Sequence, residues 1–387
     1  MKLSVLSQRG ARIAVAVLST LALGIAGASS ADAHGSRGDH GTKGHHHGGT
    51  APRVLAEGLL SPLRAAVADD GSVYVSQNFA GQLMRVRPGH QPSVAYADPD
   101  GNEVGGVSVR GRVVTFTVTK SGEDGFPVDS WLKKLYPDGS VHTVANVRGF
   151  ENETNPDSGT TYGFRDADPT CDPSWPAELG PATYAGLPDS HPYSTYALPH
   201  GWTYIADAGS NAVFLVSPRG RMRTIATLPA IPYTITSSGA STLGVPACFV
   251  GRTYWFEPVP TDIERGSNGV LYVTSLPGGP EGPQLGARGS VFTVNPWSGR
   301  VRRLVGGLVG PTGIAVGGHG SLYVTQMFGD KISRINVGRH GAWLADVVST
   351  PVPAEVEWTP RGLYFTDNAL PAEGAPPAGR LVLQRTR

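Results

Sequence analysis

The seventeen residues "DGSVYVSQNFAGQLMRV" (70–86) recur without a gap as "HGSLYVTQMFGDKISRI" (319–335), with seven identities and mostly conservative exchanges elsewhere. A chain that writes one segment twice is built from a repeated structural unit, so the period bounds the fold before any single residue does. The doubled segment belongs to a longer series. A turn ending in glycine precedes an aromatic residue flanked by β-branched ones in "DDGSVYVSQ" (69–77), "VRGRVVTFTVT" (109–119), "PHGWTYIADAG" (199–209), "SNGVLYVTS" (267–275), "GHGSLYVTQ" (318–326) and "PRGLYFTD" (360–367). The central aromatics Tyr74, Phe116, Tyr204, Tyr272, Tyr323 and Tyr364 stand at intervals of 42, 88, 68, 51 and 41 residues. Six copies with enlarged intervals predict a repeat architecture carrying insertions.

Each copy reads as four short strands. In the first, "RAAVA" (64–68) and "SVYVSQ" (72–77) are joined by Asp70–Gly71, a pair that suits the two positive-φ positions of a tight hairpin turn. "QLMRVRP" (82–88) and "PSVAYA" (92–97) follow, and the same third–fourth hairpin recurs in later copies. Several of these strands are apolar on both faces, as expected of sheets sandwiched between neighbours. One four-stranded sheet cannot bury both faces, whereas six stacked radially can. The predicted fold is therefore all-β, a six-bladed β-propeller. The last copy supplies only three strands, so "PRVLAE" (52–57) is expected to complete it and close the ring. The alternative is an open ring with a three-stranded last blade.

The 52 glycines and 32 prolines among 387 residues fit many turns and short strands. A formal net charge of +1 without long runs of one sign argues against a nucleic-acid partner or a polybasic membrane surface. Residues 1–33 read as a signal peptide. Lys2, Arg9 and Arg12 precede an apolar segment (13–27), and "ADA" (31–33) predicts cleavage after Ala33 and a secreted, extracellular protein. No later stretch is apolar enough for a membrane span. Residues 34–51 form a His/Gly-rich tail expected to be disordered, and the propeller takes 52–387, with insertions at 151–190 and 230–260. Cys171 falls in the first insertion and Cys248 in the second. In an oxidising compartment such a pair reads as one disulfide, the alternative being two separate buried thiols.

Longer phrases carry a resemblance. "NPDSGTTYGF" (155–164), "CDPSWPAELGPATYAGLPDSHPYSTYAL" (171–198), "YIADAGSNAVFLV" (204–216), "EPVPTDIERGSNGVLYVTSLPGGPEGPQLGARGSVFTVNP" (257–296) and "GPTGIAVGGHGSLYVTQMFGDKISRI" (310–335) resemble actinobacterial members of the ScyD/ScyE family, over essentially all of 52–387. The resemblance implies a secreted propeller related to NHL and gluconolactonase-like rings. That family has no established activity, so the resemblance transfers no catalytic residue. Where the family pattern has "GPDG", this chain has "RGSNG" (265–269) and "VGGHG" (316–320), which still end in a turn glycine.

In a propeller the entry to the first strand and the loop after the second open on one face around the central channel. That position nominates Gln77, Asn78, Glu103, His191, Tyr193, Asp207, Asp262, Gln326, Glu355, Asp367 and Asn368 as candidate ligand or metal residues. Such a ring could hold calcium, a transition metal or a polar ligand. In gluconolactonase-like propellers, a carboxylate–asparagine ring polarises a lactone carbonyl. Asp207 and Asp367 have a competing role as turn caps. His34, His40, His45, His46 and His47 form a tail with weak affinity for divalent metals. No nucleophile elbow, zinc-protease helix or phosphate-binding loop motif is present. No cofactor is certain on these grounds. The leading expectation is a non-enzymatic module binding a small molecule or protein through its loop-decorated face. A metal-dependent lactonase-like hydrolase and an envelope assembly protein are the alternatives.

Overall fold

The structure is a computed structural model that describes residues 51–385 apart from 281, 340, 372 and 373. The expected signal peptide and the histidines at 34–47 lie outside the described residues. Seven four-stranded antiparallel sheets account for the described strands. Six follow the sequence repeat. Their first two strands are Ala65–Val67 and Val73–Gln77 in sheet 1, Glu103–Arg110 and Val113–Ser121 in sheet 2, Pro192–Ala197 and Thr203–Asp207 in sheet 3. They are Pro260–Arg265 and Leu271–Ser275 in sheet 4, Pro311–Val316 and Leu322–Gln326 in sheet 5, Val356–Thr359 and Gly362–Asp367 in sheet 6. In sheets 1 to 5 all four strands are consecutive in the chain. In sheet 6 the fourth place is taken by Arg53–Leu59, which pairs with Gly379–Gln384 in the register Arg53↔Leu383, Val54↔Val382, Ala56↔Leu381.

Packing follows from strands that are apolar on both faces. An apolar cluster fills the space between each pair of neighbouring sheets. Five of the six repeat aromatics are buried in these clusters, Phe116 completely, while Tyr272 is half-buried. A fully buried phenylalanine contributes roughly 2–3 kcal/mol. First strands touch in the order sheet 1, 2, 3, 4, 5, 6, and the first strand of sheet 6 also touches that of sheet 1.

The Asp70–Gly71 turn differs from the expected geometry. Gly71 has φ +80°, but Asp70 is not among the positive-φ residues. Its carboxylate instead accepts the Ser72 amide at 2.8 Å, an aspartate turn that leaves the single positive φ to glycine. The two-residue left-handed turn occurs elsewhere, at His200–Gly201 and His319–Gly320.

The insertions are not two loops; together they build the seventh sheet. Thr161–Phe164 and Thr183–Ala185 come from the first insertion, Ile231–Thr234 and Thr253–Phe256 from the second. They join through Gly163↔Trp255 and Phe164↔Tyr254. A disulfide links Cys171 to Cys248 beside this seam. Phe164 stacks on Phe249 and Trp175 on Tyr254, with ring centroids 5.2 and 5.1 Å apart. Two short helices flank the sheet: α1 (Val147–Thr154), capped by Asn146, and α2 (Ser237–Leu243), capped by Thr236. No helix among the described residues is long and apolar enough to cross a membrane.

Candidate functional site

The polar centre of the six sheets is organised by Arg64, a residue the sequence did not single out. It enters the first strand of sheet 1, where its amide bonds the Ser76 hydroxyl at 3.0 Å and its carbonyl accepts the Ser76 amide at 2.8 Å. Its guanidinium is buried and reaches four other sheets. It pairs with Asp262 of sheet 4, and with Glu355, beside the first strand of sheet 6, at 2.6 Å. It donates to the Thr312 carbonyl of sheet 5 at 2.8 Å and to the Ser194 hydroxyl of sheet 3 at 3.1 Å. Burial alone would lower the pKa of this group, but Asp262 and Glu355 more than offset it, so the pKa rises and the charge is held.

The chain aims these partners by one local device. Pro192, Pro260 and Pro311 each open a first strand, where a missing N–H is tolerated, and each is followed by a register shift. Such bulges re-aim side chains, and here the Ser194 hydroxyl and the Asp262 carboxylate, with the Thr312 carbonyl, turn toward the guanidinium. Glu264 follows Asp262 by two residues on its strand, and Glu357, on the first strand of sheet 6, follows Glu355 by two. Burial, with Asp262 adding to it, pushes Glu357 up to about 8. Burial and the neighbouring Glu357 raise Glu264 well above the carboxylate range. Four carboxyl groups thus surround one fixed cation, and burial favours the protonated form of the outer two.

A second polar chain adjoins the first. The Ser76 hydroxyl donates to Asn78, the Asn78 amide donates to Glu103 at 2.9 Å, and Glu103 meets His191 Nε2 at 3.0 Å. Burial works against charge on both partners, yet each stabilises the other, lowering Glu103 and raising His191. His191 Nδ1 has no hydrogen-bond partner among the described residues. Its ring stands edge-on to Tyr193 at 5.8 Å, and Tyr193 lies 5.9 Å from the Arg64 guanidinium. Of the nominated residues, the structure therefore brings together Asn78, Glu103, His191, Tyr193, Asp262 and Glu355.

Gln77, Asp207, Gln326 and Asp367 lie elsewhere and share one task. Each ends the second strand of its sheet and bonds the chain segment arriving 17 residues earlier. Gln77 accepts from the Leu60 amide, Asp207 from the Ser190 hydroxyl, Gln326 from the Val309 amide and Asp367 from the Thr350 hydroxyl. Ser275 of sheet 4 does the same in reverse, donating to the Pro258 carbonyl. Asp207 also accepts the amides of His191, Gly209 and Ser210, and Asp367 grips Arg380 through two bonds of 2.8 and 2.6 Å. Asn368 takes a positive φ and donates its amide to the Pro351 carbonyl.

A further acidic group, also not singled out by the sequence, lies where the seventh sheet and α1 meet sheet 3. Asp157 accepts from Tyr162 at 2.9 Å and Asn211 at 3.0 Å, and Glu257 from Tyr184 at 3.0 Å. Glu151 on α1 is wholly buried, with the Asp189 backbone beside its carboxyl group. Burial pushes Glu151 up to about 9 and Glu257 up to about 8, with neighbouring carboxylates adding to both. Among the described residues no group of three or more His, Cys, Asp or Glu side chains is arranged to hold a metal ion. Asp262 and Glu355 direct their charge onto Arg64, a donor set that does not fit a divalent cation there.

No protein-family model matches the chain, and no curated protein matches it. Solved structures do. A PQQ-bound aldose sugar dehydrogenase from Streptomyces coelicolor is 13% identical with a TM-score of 0.53, over 86% of this chain and 96% of that one. The soluble aldose sugar dehydrogenase of Escherichia coli gives 13% and 0.51, over 87% and 99%. A gluconolactonase from Xanthomonas campestris gives 12% and 0.50, over 87% and 90%. At such identities the likeness is one of fold alone: the chain is an all-β protein of the β-propeller kind.

Proposed function

We propose that the chain is an exported six-bladed propeller of the ScyD/ScyE type. In this reading it is a non-enzymatic module that binds a small molecule or protein through the face carrying the seventh sheet. One observation carries the non-enzymatic part: the nominated carboxylates spend their oxygens inside the protein. Asp262 receives Arg64, the Ser194 hydroxyl and the amides of Ile263 and Ile314. Asp207 and Asp367 are similarly saturated by Ser190, Thr350, Arg380 and backbone amides. A carboxylate so engaged has no lone pair to offer a substrate or metal without breaking the scaffold.

A closed ring of six blades is supported by the cyclic contacts of the first strands and by the Arg53–Leu59 strand in sheet 6. Export is supported by the character of residues 1–33 and by the Cys171–Cys248 bond, which persists in oxidising compartments. The hydrolase reading draws on one specific feature, the His191–Glu103 pair, whose open Nδ1 could accept a proton from an attacking water.

The test is to measure bound metal in the purified protein, then lactone hydrolysis with and without chelator, in wild type and His191→Gln. The expected result is no stoichiometric metal and no turnover that depends on His191 or on metal. Stoichiometric metal with chelator-sensitive turnover, or turnover lost in His191→Gln, would replace this reading with the hydrolase.

A further inference from the structure

One cavity lies where sheet 1 meets sheet 6, beside the first and last described strands. It has a volume of about 830 Å³ and is walled by Arg53, Arg87, His90, Arg361 and Arg385, with Tyr364 beneath. They come from the start of the Arg53–Leu59 strand, two turns, the Gly362–Asp367 strand and the residue following the Gly379–Gln384 strand. No aspartate or glutamate lines the cavity. All four arginines are exposed, and none of their guanidinium groups is in an ion pair with a described residue. In a chain with a net charge of only +1, four arginines without an ion-pair partner among the described residues around one cavity are a local concentration of charge. The arginines are spread from 53 to 385 in sequence, so only the fold assembles them.

We propose that this cavity binds an anion carrying several phosphate groups. Guanidinium is a planar fork that matches phosphate oxygens two at a time. Four such forks call for about four negative charges, and a cavity of this size lies in the range of small-molecule sites. A short run of phosphates reaches that charge density; a single carboxylate does not. The chemistry is shared by free polyphosphate and by a glycerol phosphate polymer. Either would bridge the first and last strands and two adjacent sheets, so occupancy stabilises the junction between the chain ends.

Titration calorimetry and thermal melts at fixed ionic strength test this with inorganic tripolyphosphate and poly(glycerol phosphate). Wild type, Arg87→Ala/Arg361→Ala and the control Arg302→Ala/Arg303→Ala are compared, the control removing equal charge from exposed positions on sheet 4. The expected result is binding to at least one probe, with a rise in melting temperature. It should weaken at least tenfold in the cavity variant and stay within twofold in the control. The tighter probe identifies the source. Absence of binding to both probes at millimolar concentration, or equal weakening in both variants, overturns the proposal.

Discussion

Replacing Arg64 with methionine tests whether one guanidinium ties its own sheet to sheets 3, 4, 5 and 6. The substitution keeps an unbranched side chain of similar reach but leaves Asp262 and Glu355 buried without a counter-charge, and the Thr312 carbonyl without its donor. Removing one partner of a buried ion pair costs about 3–5 kcal/mol, and a lost hydrogen bond adds about 1 kcal/mol. The sum is on the order of 5 kcal/mol. With an unfolding entropy of about 2.1 cal/mol/K per residue over roughly 330 residues, this lowers the melting temperature by about 7 °C. Calorimetry at pH 7, with circular dichroism to verify the native sheet content, reads this directly. Adding Glu355→Gln removes a buried acid that has lost its counter-charge while leaving Oε1 to accept the Val356 amide, so the double variant should be more stable than Arg64→Met alone. Burial already raises Glu355 well above its ordinary range, and without Arg64 it should rise further. The folded variant then holds a proton that the unfolded chain releases, so its deficit should shrink as pH falls toward 4.5. A drop below about 1.5 °C, strict additivity of the two substitutions, or a deficit insensitive to acid would refute this account.

Two other outcomes follow from the insertions. Glu151 has its folded pKa raised from 4.5 to about 9, so its stabilising contribution is complete below 4.5 and is lost as pH rises toward 9. Glu151→Gln should therefore match wild type in acid and gain on it by several kcal/mol near pH 8, at about 1.4 kcal/mol per pH unit, in paired denaturant melts. Loss of the Cys171–Cys248 bond opens a segment with a sequence separation of 77. Chain entropy makes that worth about 4.5 kcal/mol, so the Cys171→Ser/Cys248→Ser protein should melt well below wild type in oxidising buffer and be indifferent to reductant.

The six repeated sheets were legible because each is announced by a local signal, a turn glycine before a buried aromatic such as Phe116 or Tyr204. The seventh was not. Its strands are three or four residues long, belong to no repeat, and Phe164 meets Tyr254 only because two separate insertions converge. At the polar centre, Asp262 and Glu355 were legible as first-strand carboxylates, but Arg64 reads in "PLRAAVA" as a surface break in an apolar run. The missed signal was alternation. Asp262 and Glu264, and Glu355 and Glu357, repeat at a spacing of two at or on first strands, and acids lined up on one inner face call for an internal cation or retained protons. Gln77 and Gln326 were conspicuous for a different reason: they are alike because the repeat keeps its anchor.

That anchor has an architectural consequence. Since the final residue of the second strand grips the incoming chain just before its own sheet begins, everything upstream of Ser190 and Pro258 hangs from a standardised joint. Peptide of any length can be spliced ahead of such a joint without altering the sheet it leads into. The protein is thus a chassis with interchangeable fittings, and its disulfide-linked cap is one fitting that could be exchanged whole.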